Sequence, residues 1–359
     1  MAQIPYKAVR FDAYPPTKKL IRGAKGMDKT GQVTVSSTDL AAYAIGVGDP
    51  AVFGTSSSRP WIELVWRASM ALSSVDERND HFVKSGSYDR LDPSEKSAVS
   101  YFLGMTQCAA MADRVLGAKV TVHVDSFLRM LGVKLPNKSR PDLVGYSNPP
   151  SGVGTPGGFL FEAKGRTRGF SRRVVESAIK QLGKTPKEVL RLVSPKAVFA
   201  ASLAYFEPAV RGGAEIWQSY LEDPPPPRRA ASNHPGDEEY CGLVVVSQLF
   251  PVYRAMSGIG ELSDQFAVTE RDGLMTARLP LEGASVGIPV ELYEMLAQVD
   301  APLRDSRQRE RLTRSVWEVV SEPAYPHRFT DLAYTGERLS VLSSGLSFFM
   351  AVPTENDIA

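Results

Sequence analysis

The chain is predicted to be an α/β protein with a central mixed sheet flanked by helices, and three observations predict it. First, residues 91–206 read as helix, three strands, helix, strand, the alternation of a sheet covered on both faces. Second, hydrophobic residues make up 43% and charged residues 23% of 359, enough apolar content for a large core. Third, two short apolar runs between Arg140 and Thr167 flank a Gly/Pro-rich loop, which is the pattern of a hairpin.

Around that core, residues 1–90 are read as an N-terminal elaboration for recognition or dimerisation. Its first 58 residues are broken by Gly, Pro and Ser, and "AIGVGDPAVFG" lacks the GxGxxG spacing of a dinucleotide loop. A helix is expected from Pro60 to about Lys84. The clearest helix starts at Asp92, with Pro93 at its first position, Glu95 completing a capping box and Gly117 ending it. "KVTVHVDSF" then alternates as a strand, with His123 and Asp125 on one face. After the hairpin, Ser171 opens a helix whose apolar stripe is Val174, Val175, Ala178, Ile179 and Leu182, and "KAVFAASLAYF" reads as a buried strand.

Residues 207–240 are read as a Pro-rich loop or linker. Residues 241–359 form a C-terminal α/β region, either packed on the core or making a second small domain. There "CGLVVVSQLF" is expected to be a strand, "PVELYEMLAQVD" and "RDSRQRERLTRSVWEVVSE" helices, and "LSFFMAV" a last strand.

Composition narrows the function. Cys108 and Cys241 are too few for a disulfide framework or a Cys-rich zinc site, and four scattered histidines contain no HExxH. A metal here is held by carboxylate oxygens, which points to Mg²⁺ or Mn²⁺. No uninterrupted apolar run reaches the roughly 20 residues of a membrane span. The N-terminus lacks the apolar core of a secretory signal, so a cytoplasmic protein with no membrane partner is expected. Net charge is +2, but residues 164–191 carry nine Lys/Arg against two Glu, a local surplus of +7. That block suits a polyanionic partner, expected to be DNA.

The chemistry centres on the hairpin. Strand alternation puts Leu160, Glu162 and Lys164 on one face and Phe159 and Phe161 on the other. Pairing of the strand after Pro141-Asp142 with "GFLFEAK" brings Asp142 beside Glu162. Two convergent carboxylates, with the Ala163 carbonyl adjoining, make a site for a hard cation, and Lys164 offsets negative charge on a reacting phosphate. Arg166, Arg168, Arg172 and Arg173 follow within eight residues and suit phosphate contacts. The plain alternative is a solvated Glu/Lys pair at a strand end, with Asp142 opening a turn.

Pro141-Asp142 and Glu162-Ala163-Lys164, set in this order of elements, resemble the PD-(D/E)XK nuclease superfamily, the restriction-endonuclease-like fold. The resemblance covers about a third of the chain. It implies Asp142 and Glu162 as metal ligands and Lys164 as the third catalytic residue. It further suggests Gln181 or Lys180 as a polar residue facing the site from the following helix, and an acid on the first helix, for which Asp113 suits better than Glu95. The Tyr that follows Gln in some exonuclease branches is absent.

The function expected is a metal-dependent deoxyribonuclease acting in restriction, anti-phage defence or repair. It would work as a homodimer or with a partner protein, two-fold symmetry suiting double-strand cutting. The alternatives are a non-cutting nucleic-acid-binding subunit and a structural or assembly protein.

Overall fold

The computed structural model describes residues 1–9, 29–48, 60–134, 140–147, 157–193, 197–208, 213–224, 237–260, 266–299, 302–322, 325 and 337–351. The end of the Gly-rich run "AIGVGDPAVFG" beyond Gly48, the hairpin loop at 148–156 and the stretch at 225–236 that follows Pro224 lie outside these residues.

β1 (Ala2–Val9) and β2 (Lys29–Val35) pair antiparallel, and α1 (Ser37–Gly46) follows behind a capping box of Ser36 and Asp39. α2 (Trp61–Ser74) is shorter than expected. β3 (Val75–Arg78) and β4 (His81–Lys84) form a hairpin in place of its last turns. Asn79 and Asp80 make that turn with φ of 48° and 61°, a conformation these two residue types tolerate. α3 (Gly86–Arg90) leads into α4 (Pro93–Met111), which carries the expected box: Asp92 accepts from the Ser94 and Glu95 amides, and Glu95 accepts from the Asp92 amide. α4 continues as a π-helical turn, Ala112–Leu116, and stops at Gly117 with φ 75°.

β5 (Val120–His123) ends four residues earlier than its alternation suggests. His123 turns the chain into α5 (Val124–Met130) by accepting from the Asp125 amide, so His123 and Asp125 do not share a strand face. β6 (Leu143–Ser147) and β7 (Gly157–Gly165) form the hairpin, followed by α6 (Arg172–Leu182), α7 (Lys187–Leu192) and β8 (Val198–Pro208). β9 (Glu215–Glu222) is a strand inside the stretch read as a linker.

The largest correction is α8 (Asp237–Gly260), a helix where a strand was expected. A continuous apolar run such as Leu243–Val246 fits either element when every side is buried, and here every side is. Its segment Glu238–Ile259 is long and apolar enough to cross a membrane by length and composition, yet most of its apolar stretch is buried within the fold as a core helix. Tyr240 donates to the Gly145 carbonyl (2.9 Å) and Gln248 to that of Thr121 (2.7 Å), fastening α8 over β5 and β6. β10 (Thr269–Arg271), β11 (Leu274–Arg278), β12 (Ala284–Pro289), α9 (Val290–Ala297), α10 (Ser306–Val320), β13 (Glu337–Val341) and β14 (Ser347–Ala351) complete the chain.

Nine strands form one mixed sheet in the order β2-β1-β4-β9-β8-β7-β6-β5, with β3 on β4 and a further β1–β9 pairing. β5, β6 and β7 are mutually antiparallel neighbours, β7 and β8 run parallel, and β9 reverses again. The N-terminal strands thus extend the same sheet. A second sheet, β10-β11-β12-β14-β13, packs against α8 and shares its core. Cys108 and Cys241 are buried free thiols, and Trp317, Phe348 and Phe349 are core, as expected.

Candidate active site

Helices on both faces of the sheet meet at the end of β7. α6 covers the face of Glu162 and Lys164, packing Val175 and Ile179 on Leu203, Tyr205 and Tyr220 of β8 and β9. α4 covers the opposite face, where Phe159 and Phe161 stack with ring centroids 5.7 Å apart. Two glycines let α4 come close. A Cβ on Gly165 would lie 1.6 Å from the Ser100 carbonyl oxygen, and one on Gly104 would lie 2.7 Å from the Gly165 nitrogen. Backbone therefore touches backbone beside Lys164, a contact that nothing in the sequence reading anticipated.

The hairpin places Leu143 opposite Phe161, so Asp142 falls beside Glu162. Asp142 Oδ2 accepts from the Ala163 amide at 2.9 Å. In a strand the N–H and C=O of one residue point the same way, so the Ala163 carbonyl is also directed toward Asp142, past the end of β6. Lys164 Nζ donates to Glu162 Oε1 and, at 3.0 Å, to Gln181 Oε1 on α6. Glu162 is fully buried, whereas the Lys164 side chain keeps 26% of its exposure. The second carboxylate oxygen, Glu162 Oε2, is buried and meets no N–H or hydroxyl donor, and the Asp142 and Glu162 carboxyls hydrogen-bond to each other when one of them keeps a proton.

That geometry strains ionisation. Burial, and then the neighbouring Asp142 charge, push the Glu162 carboxyl up to about 8, with Lys164 opposing the rise. Asp142 is also raised by burial, against the pull of Lys164, the Ala163 amide and the nearby His123 ring. Between the ordinary carboxyl value and about 8, the folded protein keeps a proton that the unfolded chain releases. Stability contributed by this carboxyl is therefore complete below pH ~4.5 and falls as pH rises to ~8. Glu162→Gln is expected to melt like the wild type near pH ~5, yet to be more stable by about 1–3 kcal/mol near pH ~8.5 in chelator. Thermal melts at both pH values check this, and parallel pH slopes for the two proteins would remove buried ionisation as the cause.

A buried carboxylate oxygen that meets no N–H or hydroxyl donor and faces a second raised carboxyl is the environment that a divalent cation relieves. The donor set of Asp142, Glu162 and the Ala163 carbonyl suits Mg²⁺ or Mn²⁺. Among the described residues no group of three or more His, Cys, Asp or Glu side chains is placed to hold a metal, so this pair supplies the only two side-chain donors of such a site.

The other expected residues divide. Gln181 reaches Lys164, whereas Lys180 is exposed on the outer side of α6. Asp113 is not at the site: it accepts from the Tyr43 hydroxyl (2.6 Å) and from Lys119 (3.1 Å). It lies nine residues beyond Gly104, about 13 Å along the helix. Glu95 is spent on the capping box. Asp125 pairs with Arg140.

Arg172, one of the residues expected to contact phosphate, has a partner within the fold. It forms an ion pair with Glu222, a fully buried carboxylate on β9 that needs a counter-charge, and it also reaches the Tyr220 hydroxyl (3.3 Å). Arg168 and Arg173 are exposed, and Arg166 is half-buried with its amide bonded to the Ala204 carbonyl. Tyr101 of α4 is a neighbour that the sequence reading missed: the Asp142 and Glu162 charges add to burial in raising its hydroxyl.

No family model, curated protein or solved structure matches this chain.

Proposed function

We propose that the protein is a Mg²⁺- or Mn²⁺-dependent nuclease that hydrolyses phosphodiester bonds in DNA, on a restriction-endonuclease-like core. The observation that carries the reading is the buried Asp142–Glu162 pair, whose Glu162 Oε2 meets no N–H or hydroxyl donor, beside Lys164. The fold reading is supported by five neighbouring strands in the order β5-β6-β7-β8-β9, with only β7 and β8 parallel and a helix on each face.

Asp142, Glu162 and the Ala163 carbonyl would hold the cation. When bound, the cation supplies an acidified water and a positive charge against the phosphodiester. Lys164 sits at the half-exposed lip of the site with its ammonium fixed by Glu162 and Gln181, where it can donate to a phosphate oxygen as negative charge grows. Gln181 is a positioning residue. Arg168 and Arg173, exposed on the basic segment, suit contacts to the backbone of the bound strand.

The test is supercoiled plasmid incubated with Mg²⁺ or Mn²⁺. Wild type is expected to nick it and Asp142→Ala to leave it intact, with chelator abolishing the wild-type reaction. Equal nicking by both proteins would remove Asp142 from the chemistry. One observation favours a second reading, a subunit that binds nucleic acid without cutting: two side-chain donors are few for a cation, and burial raises both carboxyls. In that case Mn²⁺ does not bind and plasmid stays intact, while salt-sensitive DNA binding remains.

A further inference from the structure

On the α4 side of β7 the surface turns aromatic. Five large hydrophobic residues are exposed among those described, and three of them, Ile62 (46%), Trp66 (43%) and Tyr101 (39%), belong to the adjoining helices α2 and α4. Ile62 and Trp66 are four apart and share one side of α2. Trp66 meets Phe102 edge to face with centroids 4.7 Å apart, and Phe102 meets Tyr101 at 5.2 Å. The patch is thus continuous from Trp66 to Tyr101.

Its inner end reaches β7, the strand that carries Glu162 and Lys164, from the α4 side. Tyr101 follows Ser100, whose carbonyl touches Gly165, and lies one turn before Gly104, which touches the Lys164 backbone. The tryptophan is held rather than loose. The buried Arg67 guanidinium lies 5.9 Å from the Trp66 ring centroid and 5.3 Å from that of Phe102, and Glu63 pins it through two hydrogen bonds of 2.9 and 2.7 Å.

A surface meant for duplex backbone carries free cations. Among the described residues of the patch, the Arg67 guanidinium is buried under the rings and already paired. What the patch offers is fixed aromatic faces, which recognise the π-face of a base rather than its phosphate. A base can lie on them only when it is out of the stack. We propose that Ile62, Trp66 and Tyr101 form a shelf on which unpaired bases of a nucleic-acid strand stack while that strand's backbone passes Asp142 and Glu162. The inference rests on the nuclease reading for its choice of polymer, and it narrows the substrate to single-stranded or locally unpaired nucleic acid.

The experiment measures binding in chelator, so that cleavage plays no part. Fluorescent oligo-dT and oligo-U of about 16 nucleotides and a blunt duplex of similar length are titrated with the full chain. Wild type is expected to prefer the unpaired strands. Trp66→Ala and Tyr101→Ala are each expected to weaken that binding about tenfold, with Trp66→Phe keeping most of it and duplex binding unchanged. Trp66 dependence in either oligonucleotide arm supports the shelf, and the tighter arm names the sugar. Unaltered thermal melts show that the variants fold, as suits exposed side chains.

Wild-type affinity in Trp66→Ala and Tyr101→Ala would overturn the inference, as would an equal loss on duplex. So would a change in self-association without any change in oligonucleotide binding, since the shelf would then be a protein contact. The two readings fail separately. Oligo-dT and oligo-U left uncut in Mn²⁺, with Trp66-dependent binding of either, end the cleavage reading and support the shelf. Cut plasmid with Trp66-independent binding does the reverse.

Discussion

Lys164→Ala is expected to reduce plasmid cleavage by about 10²–10³-fold while leaving the protein folded and able to take up Mn²⁺ at pH ~8. The ammonium holds both carboxyls down against burial. Its removal raises both, so part of any loss near neutral pH reflects competition between protons and the cation. Working at higher pH separates that part from catalysis. Calorimetric Mn²⁺ titration measures cation uptake, and initial rates of supercoil loss at saturating Mn²⁺ measure the reaction. Gln181→Ala, which removes only the 3.0 Å acceptor of Lys164, is expected to fall between wild type and Lys164→Ala. Wild-type rates in Lys164→Ala at saturating Mn²⁺ would leave the lysine as a structural partner of Glu162 alone.

Gly165→Ala is expected to destabilise the fold by about 3 kcal/mol or more and to lower its melting temperature by at least about 5 °C. The new methyl would sit 1.6 Å from the Ser100 carbonyl oxygen and 2.5 Å from its carbon, and both are backbone atoms of a helix interior that no rotamer change can move. α4 and β7 must separate, and the strand that moves is the one carrying Glu162 and Lys164. Gly183→Ala is the control. Its φ is −62° and its nearest Cβ contacts are ordinary at 3.6 Å, so it should be neutral or slightly stabilising. Denaturant melts of the two variants check the contrast. A Gly165→Ala protein as stable as Gly183→Ala would mean that the helix and strand do not approach as described.

What the sequence discloses depends on whether its signal is local. Asp92, Pro93 and Glu95 specify a helix start through contacts three residues apart, and the structure has that box. The hairpin was legible because two apolar runs around a Gly/Pro loop have one simple way to pair, and the register sets Asp142 beside Glu162. By contrast, Leu243–Val246 looks the same as strand or as helix, and only its partners on every side decide. Asn79-Asp80 was a readable turn inside a segment whose length suggested one helix. Arg172 looked like a phosphate contact because its partner, Glu222, is fifty residues away on another strand. The close approach of α4 to β7 needs two glycines sixty-one residues apart, which no windowed reading connects.

The first strand of the sheet carries a consequence for how the chain is built. β1 pairs in parallel with β9, Tyr6 beside Ser219 through to Val9 beside Glu222. During synthesis Tyr6–Val9 have no permanent neighbour on that side until more than two hundred further residues have left the ribosome, although Gln3 is met earlier by β4. The hairpin of β6 and β7 needs only local chain and can close much earlier. The strand bearing the carboxylates can therefore exist before the sheet around it is finished, with its β8 edge open to foreign pairing. Completion waits for the last central strand, so a chain halted before Glu215 has the hairpin, its covering helices and β8 but no β9 to join them to the N-terminal strands.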